Sequence, residues 1–305
     1  MFVTKHQIAG INLWTEADID ICHLVTPVYS QFCTDEARSD VRFRIAELNP
    51  DLPPLPPLTP LQRDRILRTI GFPSQWMERK ALRSPQVRNA IDACLDQPEL
   101  AQISLRWNRV ITRNFARNEL DFFYPAGNKT IVNDSFFIAP HRTMFAVFLP
   151  AFSAVMLHGA GIIHNGSAVL FLAPDEGGKS SIINLAMEMP VLNDDHIILR
   201  KQGGVIVAHG TPFGSISSGP INSKLHAIFL LEKSPGFALT RLNTSEVVKF
   251  IWNENDHQWF GMPKKLRVQA FELIVDACQQ AQLYRMQFPK GFVDWNLIGK
   301  AIEST

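Results

Sequence analysis

Cysteine is scarce in this chain: Cys22, Cys33, Cys94 and Cys278 are scattered over 305 residues without a Cys-x-x-Cys pair. That spacing argues against a zinc ribbon and against a disulfide framework, and it fits a reducing cytoplasm. Excess charge of either sign is missing as well. A net charge of +1, with 19% charged residues, gives nucleic acid or an anionic membrane no global attraction, so neither is expected as a partner. No uncharged apolar run convincingly supplies the roughly 20 residues of a membrane span. The nearest, Thr143 to Ile163, contains Pro150 and His158 and reads as a buried helix followed by a strand. The opening residues Met1 to His6 lack the charged-then-apolar layout of a signal peptide, and no internal repeat is visible.

What is present is enough apolar material for a full core. At 46% hydrophobic residues, the length suits one or two domains. The early part predicts a small α/β unit, with Gln7 to Trp14 as a strand, Ile19 to Phe32 as a helix and Asp40 to Ile45 as an alternating strand. Six prolines between Asn49 and Pro60 remove backbone donors and favour an extended spacer or surface arm. Helices are expected over Leu61 to Ile70 and over Ser84 to Leu100, the second opening on an N-cap serine and a proline; Leu120 to Tyr124 and Thr130 to Phe137 read as strands. Arg106, Arg109, Arg113 and Arg117 recur at helix-compatible intervals, which reads first as a solvated helix face and second as a contact for phosphate or an acidic peptide. From about Met144 the pattern becomes denser, which divides the chain into an N-terminal α/β region, 1–135, with its spacer at 49–60, and a core, 136–305.

Within that core, Ala168 to Leu172 is a continuous apolar run, the pattern of a strand buried on both faces. It leads into Ala173-Pro174-Asp175-Glu176-Gly177-Gly178-Lys179-Ser180-Ser181 and then into an apolar stripe, Ile182, Ile183, Leu185, Ala186 and Met187, expected to be helical from about Lys179. Strand, glycine turn and helix in this order read as a phosphate-binding loop. Backbone N–H groups would surround phosphates, Lys179 would add a point charge and Ser180 could hold magnesium. The nucleotide-binding residues expected are Ala173, Gly177, Gly178, Lys179, Ser180 and Ser181. An ordinary strand-to-helix turn carrying a lysine is the plainer reading.

Phosphoryl transfer also needs a metal ligand and a group that handles the acceptor proton. Asp194 and Asp195 follow the short apolar run Val191-Leu192, so they fall at a strand end beside the loop, Asp195 being the expected magnesium ligand with Ser180. Two adjacent carboxylates tend to divide such roles, whereas an aspartate pair can also begin a solvated turn. His158, in Leu157-His158-Gly159, reads either as a partner of a catalytic carboxylate or phosphate or as a satisfied core histidine. His164, His196 and His209 lack metal-ligand spacing and are not read as zinc ligands. The rest of the core predicts a hairpin through Gln202-Gly203-Gly204, a strand at Ala227 to Leu231, a helix over Lys264 to Gln280, a strand over Leu283 to Phe288 and a helix over Val293 to Ile302.

Leu157-His158-Gly159, the loop Ala173 to Ser180, Asn193-Asp194-Asp195, Gly210-Thr211-Pro212-Phe213 and Leu225-His226-Ala227-Ile228-Phe229-Leu230-Leu231 resemble, in this order, the core of the HPr kinase/phosphorylase superfamily. Leu283 to Phe288 with Trp295 resembles the close of that domain, so the likeness covers about residues 144 to 302. It implies an α/β fold of the type shared with phosphoenolpyruvate carboxykinases, a phosphate-loop core joined here to an N-terminal α/β region. It implies an ATP-dependent kinase acting on a serine or other hydroxyl of a peptide or small molecule, with magnesium as cofactor and ATP or another nucleotide as co-substrate. By the same resemblance Lys179 contacts the β- and γ-phosphates, Ser180 binds magnesium, and Asp194 or Asp195 acts as the base with His158 nearby.

The departures carry their own consequence. Ala173, Asp175 and Glu176 stand where the family has glycine, serine and glycine, which places two carboxylates near phosphate and a side chain where a left-handed backbone is needed. The alternative that follows is a catalytically weak nucleotide-binding sensor or scaffold. The glycine- and asparagine-rich C-terminal signature through which HPr kinases engage HPr has no counterpart, and the sequence leaves an oligomer open.

Overall fold

The computed structural model describes residues 2–17, 27–47, 59, 84–87, 89, 101–106, 109–124, 142, 145–186, 188–259 and 262–303. The spacer at 49–60 apart from Thr59, the helix expected over Leu61 to Ile70, most of that over Ser84 to Leu100 and the strand over Thr130 to Phe137 lie outside those residues. The chain is a mixed α/β structure built on two sheets.

The first sheet comprises β1 (Phe2–Ile8), β2 (Ile11–Ala17), β3 (Val41–Glu47), β4 (Ala101–Arg106), β5 (Arg109–Asn114) and β6 (Glu119–Tyr124), in the order β1-β2-β3-β6-β5-β4. The single strand expected over Gln7 to Trp14 is instead the bend of a hairpin. Ala9 and Gly10 adopt φ values of 53° and 70°, the doubly left-handed pair of a two-residue hairpin turn. Of the helix expected over Ile19 to Phe32, residues 27–32 are described; they form α1 (Pro27–Ser30) followed by a turn at Gln31 and Phe32. The arginine stripe is not helical. Arg106 closes β4 opposite Arg109 at the start of β5, Arg113 lies on β5, and Arg117 sits in the following turn. The β-branched run Val110-Ile111-Thr112, with Thr112 buried, outweighs the helix-like arginine spacing.

In the second sheet the path is β10-β8-β9-β13-β12-β11-β7, where β7 is Ala154–His158, β8 Ala160–His164, β9 Ser167–Leu172, β10 Val191–Asn193, β11 His196–Gln202, β12 Val205–His209 and β13 Asn222–Lys233. Strand β15 (Gln282–Phe288) pairs with both β13 and β14 (Ala238–Arg241). β13 runs parallel to both β9 and β15. Where a buried helix followed by one strand is expected over Thr143 to Ile163, the described residues, 145–163, contain a short 3-10 helix, Leu149–Phe152, and then the two strands β7 and β8; Pro150 opens that short helix and Ser153 closes it at φ 55°. The helices of this half are α2 (Lys179–Leu185), α3 (Thr244–Glu254), α4 (Asp256–Trp259), α5 (Lys264–Gln280) and α6 (Trp295–Glu303). No helix among the described residues is long and apolar enough to cross a membrane.

Alternation along β9 explains its unbroken apolar sequence. Ala168, Leu170 and Leu172 face a core shared with the first sheet and α5, while Val169 and Phe171 face a second core under α2 and α6. In the second core Phe171, Phe229 and Tyr284 stack from strand to strand at centroid distances of 5.6 and 5.3 Å. The first core crosses from Ile8, Leu13 and Phe43 to Met156, Ile198 and Ile274, and Arg200 Nη1 reaches over to donate to Ala9 O at 2.6 Å.

Candidate functional site

The turn leaving β9 is constrained on every side. A Cβ on Gly177 would lie 2.4 Å from Ala173 Cβ, and one on Gly178, whose φ is +104°, would lie 2.6 Å from Phe288 Cζ. Neither position accepts a side chain without movement. Glu176 adopts φ 59°, so the left-handed turn forms although glycine is absent, at a cost of about 1 kcal/mol. Lys179, buried, folds its ammonium back to donate to Ala173 O at 2.8 Å and Pro174 O at 3.1 Å. Burial lowers its pKa, against the opposing pull of Asp175, Asp195 and Glu254.

Opposite the turn stand the ends of β7, β10 and β11. Asn193 sets their geometry: its Oδ1 accepts from the backbone N–H groups of Asp195 and His196, both at 2.8 Å, and its Nδ2 donates to Thr211 O at 2.8 Å. A fully buried asparagine with this satisfied amide fixes the direction in which the two aspartates leave the strand. They diverge. Asp194 Oδ1 accepts from Ser215 N at 2.8 Å and Ile216 N at 3.1 Å, which ties it to the loop after Phe213. Asp195 turns the other way, its Oδ1 lying 3.1 Å from His158 Nε2 and its Oδ2 2.7 Å from His196 Nδ1 and 3.4 Å from Arg142 Nη1.

The two imidazoles stack at 5.4 Å, and the His158 backbone N–H is held by Asn255 Oδ1 at 2.9 Å. Burial alone would raise the Asp195 pKa, but hydrogen bonds from His158 and His196 outweigh it and hold the carboxyl well below the usual carboxylate range. Burial, helped by Arg142 and opposed by Asp195, lowers the His196 pKa, so at neutral pH the ring is uncharged and donates its Nδ1–H to Asp195. An ionised Asp195 so strongly solvated by donors is a weak proton acceptor and a good orienting group.

A cleft of about 350 Å³ joins these parts. It is lined by His158, the turn Asp175–Ser181, Asp194, Asp195, Gly214, Ser215 and Lys233. Of the residues expected from sequence, His158, Gly177, Gly178, Lys179, Ser180, Ser181, Asp194 and Asp195 therefore meet at one place. Ala173 lies beneath, buried, and contributes its carbonyl to Lys179. Arg142, Asn193, Ser215, Lys233 and Asn255 were not singled out by sequence reasoning. Only the tandem Asn193-Asp194-Asp195-His196 and the run Gly210 to Gly214 carried a local signal for any of this surrounding shell.

Among the described residues no group of three or more His, Cys, Asp or Glu side chains is arranged to hold a metal. Magnesium suits such a setting, since it takes one or two protein oxygens and completes its shell with phosphate oxygens and water. Asp195 could serve only by sharing an oxygen already engaged by His158 or by His196 and Arg142, while Ser180 is exposed on the cleft wall.

No family model and no curated protein matches the chain. Among solved structures, the HPr(Ser) kinase/phosphatase from Coxiella burnetii aligns with 48% of this chain and 92% of its own, at 11% identity and a TM-score of 0.25. At a score of that size a common fold is not established.

Proposed function

We propose that the chain is a cytoplasmic phosphotransferase of the HPr-kinase-like type, with a phosphate-loop core, that takes a nucleoside triphosphate with magnesium and passes a phosphoryl group to a hydroxyl of a peptide or small molecule. The observation that carries the reading is the meeting, across one cleft, of the glycine turn bearing Lys179 with the paired Asp195 and His158. Phosphoryl transfer asks a protein mainly for positioning and for charge placed around the phosphates. The backbone N–H of Gly178 and the Lys179 ammonium, released from its two carbonyls, supply those; the Gly177 N–H donates to Pro174 O at 3.0 Å and holds the turn itself. Ser180 and Asp195 would hold the metal, which neutralises charge between the phosphates. The acceptor oxygen attacks the terminal phosphorus, the bond to the bridging oxygen breaks, and the nucleoside diphosphate leaves with the electron pair. The acceptor proton passes to the His158 imidazole, which Asp195 orients.

Calorimetric titration with MgATP tests the binding half. Wild type should bind, and Lys179→Ala should bind at least about tenfold more weakly; equal affinities would overturn the reading. The low basicity of Asp195 favours a second reading, a nucleotide-binding sensor with little turnover. Phosphate release from MgATP separates the two. Release that is lost in Asp195→Asn supports the enzyme, and binding without release supports the sensor.

A further inference from the structure

Resting on the nucleotide reading above, we propose that Lys233, at the far end of β13, is a second cation for the phosphate chain and the one that meets the ligand first. Its position follows from strand geometry. β13 runs parallel to β9 with Leu230 opposite Leu172. β9 ends at that pair and turns, while β13 continues three residues to Lys233, so both strands empty their C-terminal ends into the same cleft, where parallel sheets place ligands. Alternation puts Lys233 on the face of Phe229 and Leu231, which pack in the core under Ile182 and Ile183 of α2. The lysine thus emerges on the side of the sheet that carries the glycine turn, and it lines the cleft directly.

Its chemical state distinguishes it from Lys179. The Lys179 ammonium is buried and held by two loop carbonyls, so it must be released before it can serve a ligand. Lys233 is exposed, and among the described residues its ammonium has no hydrogen-bond or ion-pair partner. Among the described residues no cleft carboxylate forms an ion pair with it: Asp194 is tied to backbone N–H groups, Asp195 to two imidazoles and a guanidinium, and Asp175 lies against His158, while Glu176 is exposed. An uncommitted cation beside the glycine turn, on a strand rather than a loop, is placed to select polyanions and to speed their capture. Its partner is the polyphosphate group, whether carried by a nucleoside or free.

Calorimetry with MgATP and, separately, with inorganic tripolyphosphate and magnesium tests this on wild type, Lys233→Ala, Lys233→Arg and Lys179→Ala. Lys233→Ala should weaken both ligands about tenfold at low salt, and the loss should shrink at high salt; Lys233→Arg should stay within about threefold of wild type. Because the side chain is exposed, neither Lys233 variant should change the thermal midpoint appreciably. Unchanged affinity in Lys233→Ala, with Lys179→Ala impaired, would refute the role of Lys233 and leave the nucleotide reading standing. Equal loss in the alanine and arginine variants, or a loss confined to MgATP, would also refute it. A wild type that binds neither probe would overturn both.

Discussion

Asp194 stands in the cleft beside Asp195, yet the structure gives it a different task, and replacing it by asparagine should expose that. One oxygen, Oδ1, accepts from Ser215 N at 2.8 Å and from Ile216 N at 3.1 Å. A hydrogen bond to a charged acceptor contributes roughly 1.5–3 kcal/mol and one to a neutral acceptor roughly 0.5–1.5 kcal/mol. Asparagine keeps the oxygen and loses the charge, so each bond should weaken by about 1 kcal/mol. Partial exposure of the loop reduces the total, and about 1–2 kcal/mol is expected for the pair. If that energy holds the loop closed, its amides should lose between about fivefold and thirtyfold of their protection against hydrogen exchange.

The assay is residue-resolved amide exchange on wild type and Asp194→Asn, with the amides of Ser215 and Ile216 as reporters. Both should exchange faster in the variant, while amides of the β9–β13 pair stay unchanged. Within the nucleotide reading, the repositioned Ser215 should also lower MgATP affinity modestly, since it lines the cleft. Wild-type exchange at Ser215 and Ile216, combined with abolished phosphate release, would refute the reasoning and return Asp194 to the chemistry.

Acid should destabilise the fold through His6 and His209, both buried, each with ring nitrogen left unpartnered among the described residues and a pKa lowered to about 4. The unfolded chain then binds protons that the native one does not, so stability falls as pH drops from about 6.5 towards 4, by roughly 2 kcal/mol per histidine between pH 7 and 5; urea midpoints of wild type and His6→Phe should diverge by that slope, and parallel curves would sink the idea. Within the nucleotide reading, Asp175→Ser with Glu176→Gly should tighten MgATP binding two- to threefold at low salt and less at high salt, because both side chains are exposed and screened. Equal affinity at both ionic strengths in a calorimetric titration would show that neither carboxylate senses the phosphates.

The core half was legible because its signals are redundant. The unbroken run Ala168–Leu172 has a strand's length, and the glycines that follow have steric reasons that a sequence exposes. Asp194 and Asp195 were readable as a strand-end pair, but their divergence was not, since it depends on Asn193, whose side chain organises two backbone amides after it. Arg142 and Asn255 were invisible for the same reason: each reaches the site from a distant segment, and nothing in its own neighbourhood marks it. The arginine stripe failed because spacing at three and four residues was read without weighing the β-branched residues inside it. Ala9-Gly10 was missed as a turn because alanine rarely takes a left-handed φ; here Arg200 holds its carbonyl.

Within the nucleotide reading, the four carboxylates around the cleft look like a contradiction only if they are counted as equal charges. Asp195 is neutralised in part by Arg142 and is oriented by His158 and His196; Asp194 is satisfied by two amides. Asp175 is 92% exposed and meets His158 Nε2 only at 3.5 Å. At a surface-like dielectric of about 20, a charge a few ångströms from phosphate would repel by several kcal/mol, but in water the same pair at 4 Å repels by about 1 kcal/mol, before salt. The exposed side chains belong to the second regime. Within the nucleotide reading, the field that an incoming polyanion would meet is therefore set less by the acidic residues than by Lys233, which among the described residues stands exposed and unpaired at the end of β13, while Lys179 is held by two carbonyls of the turn.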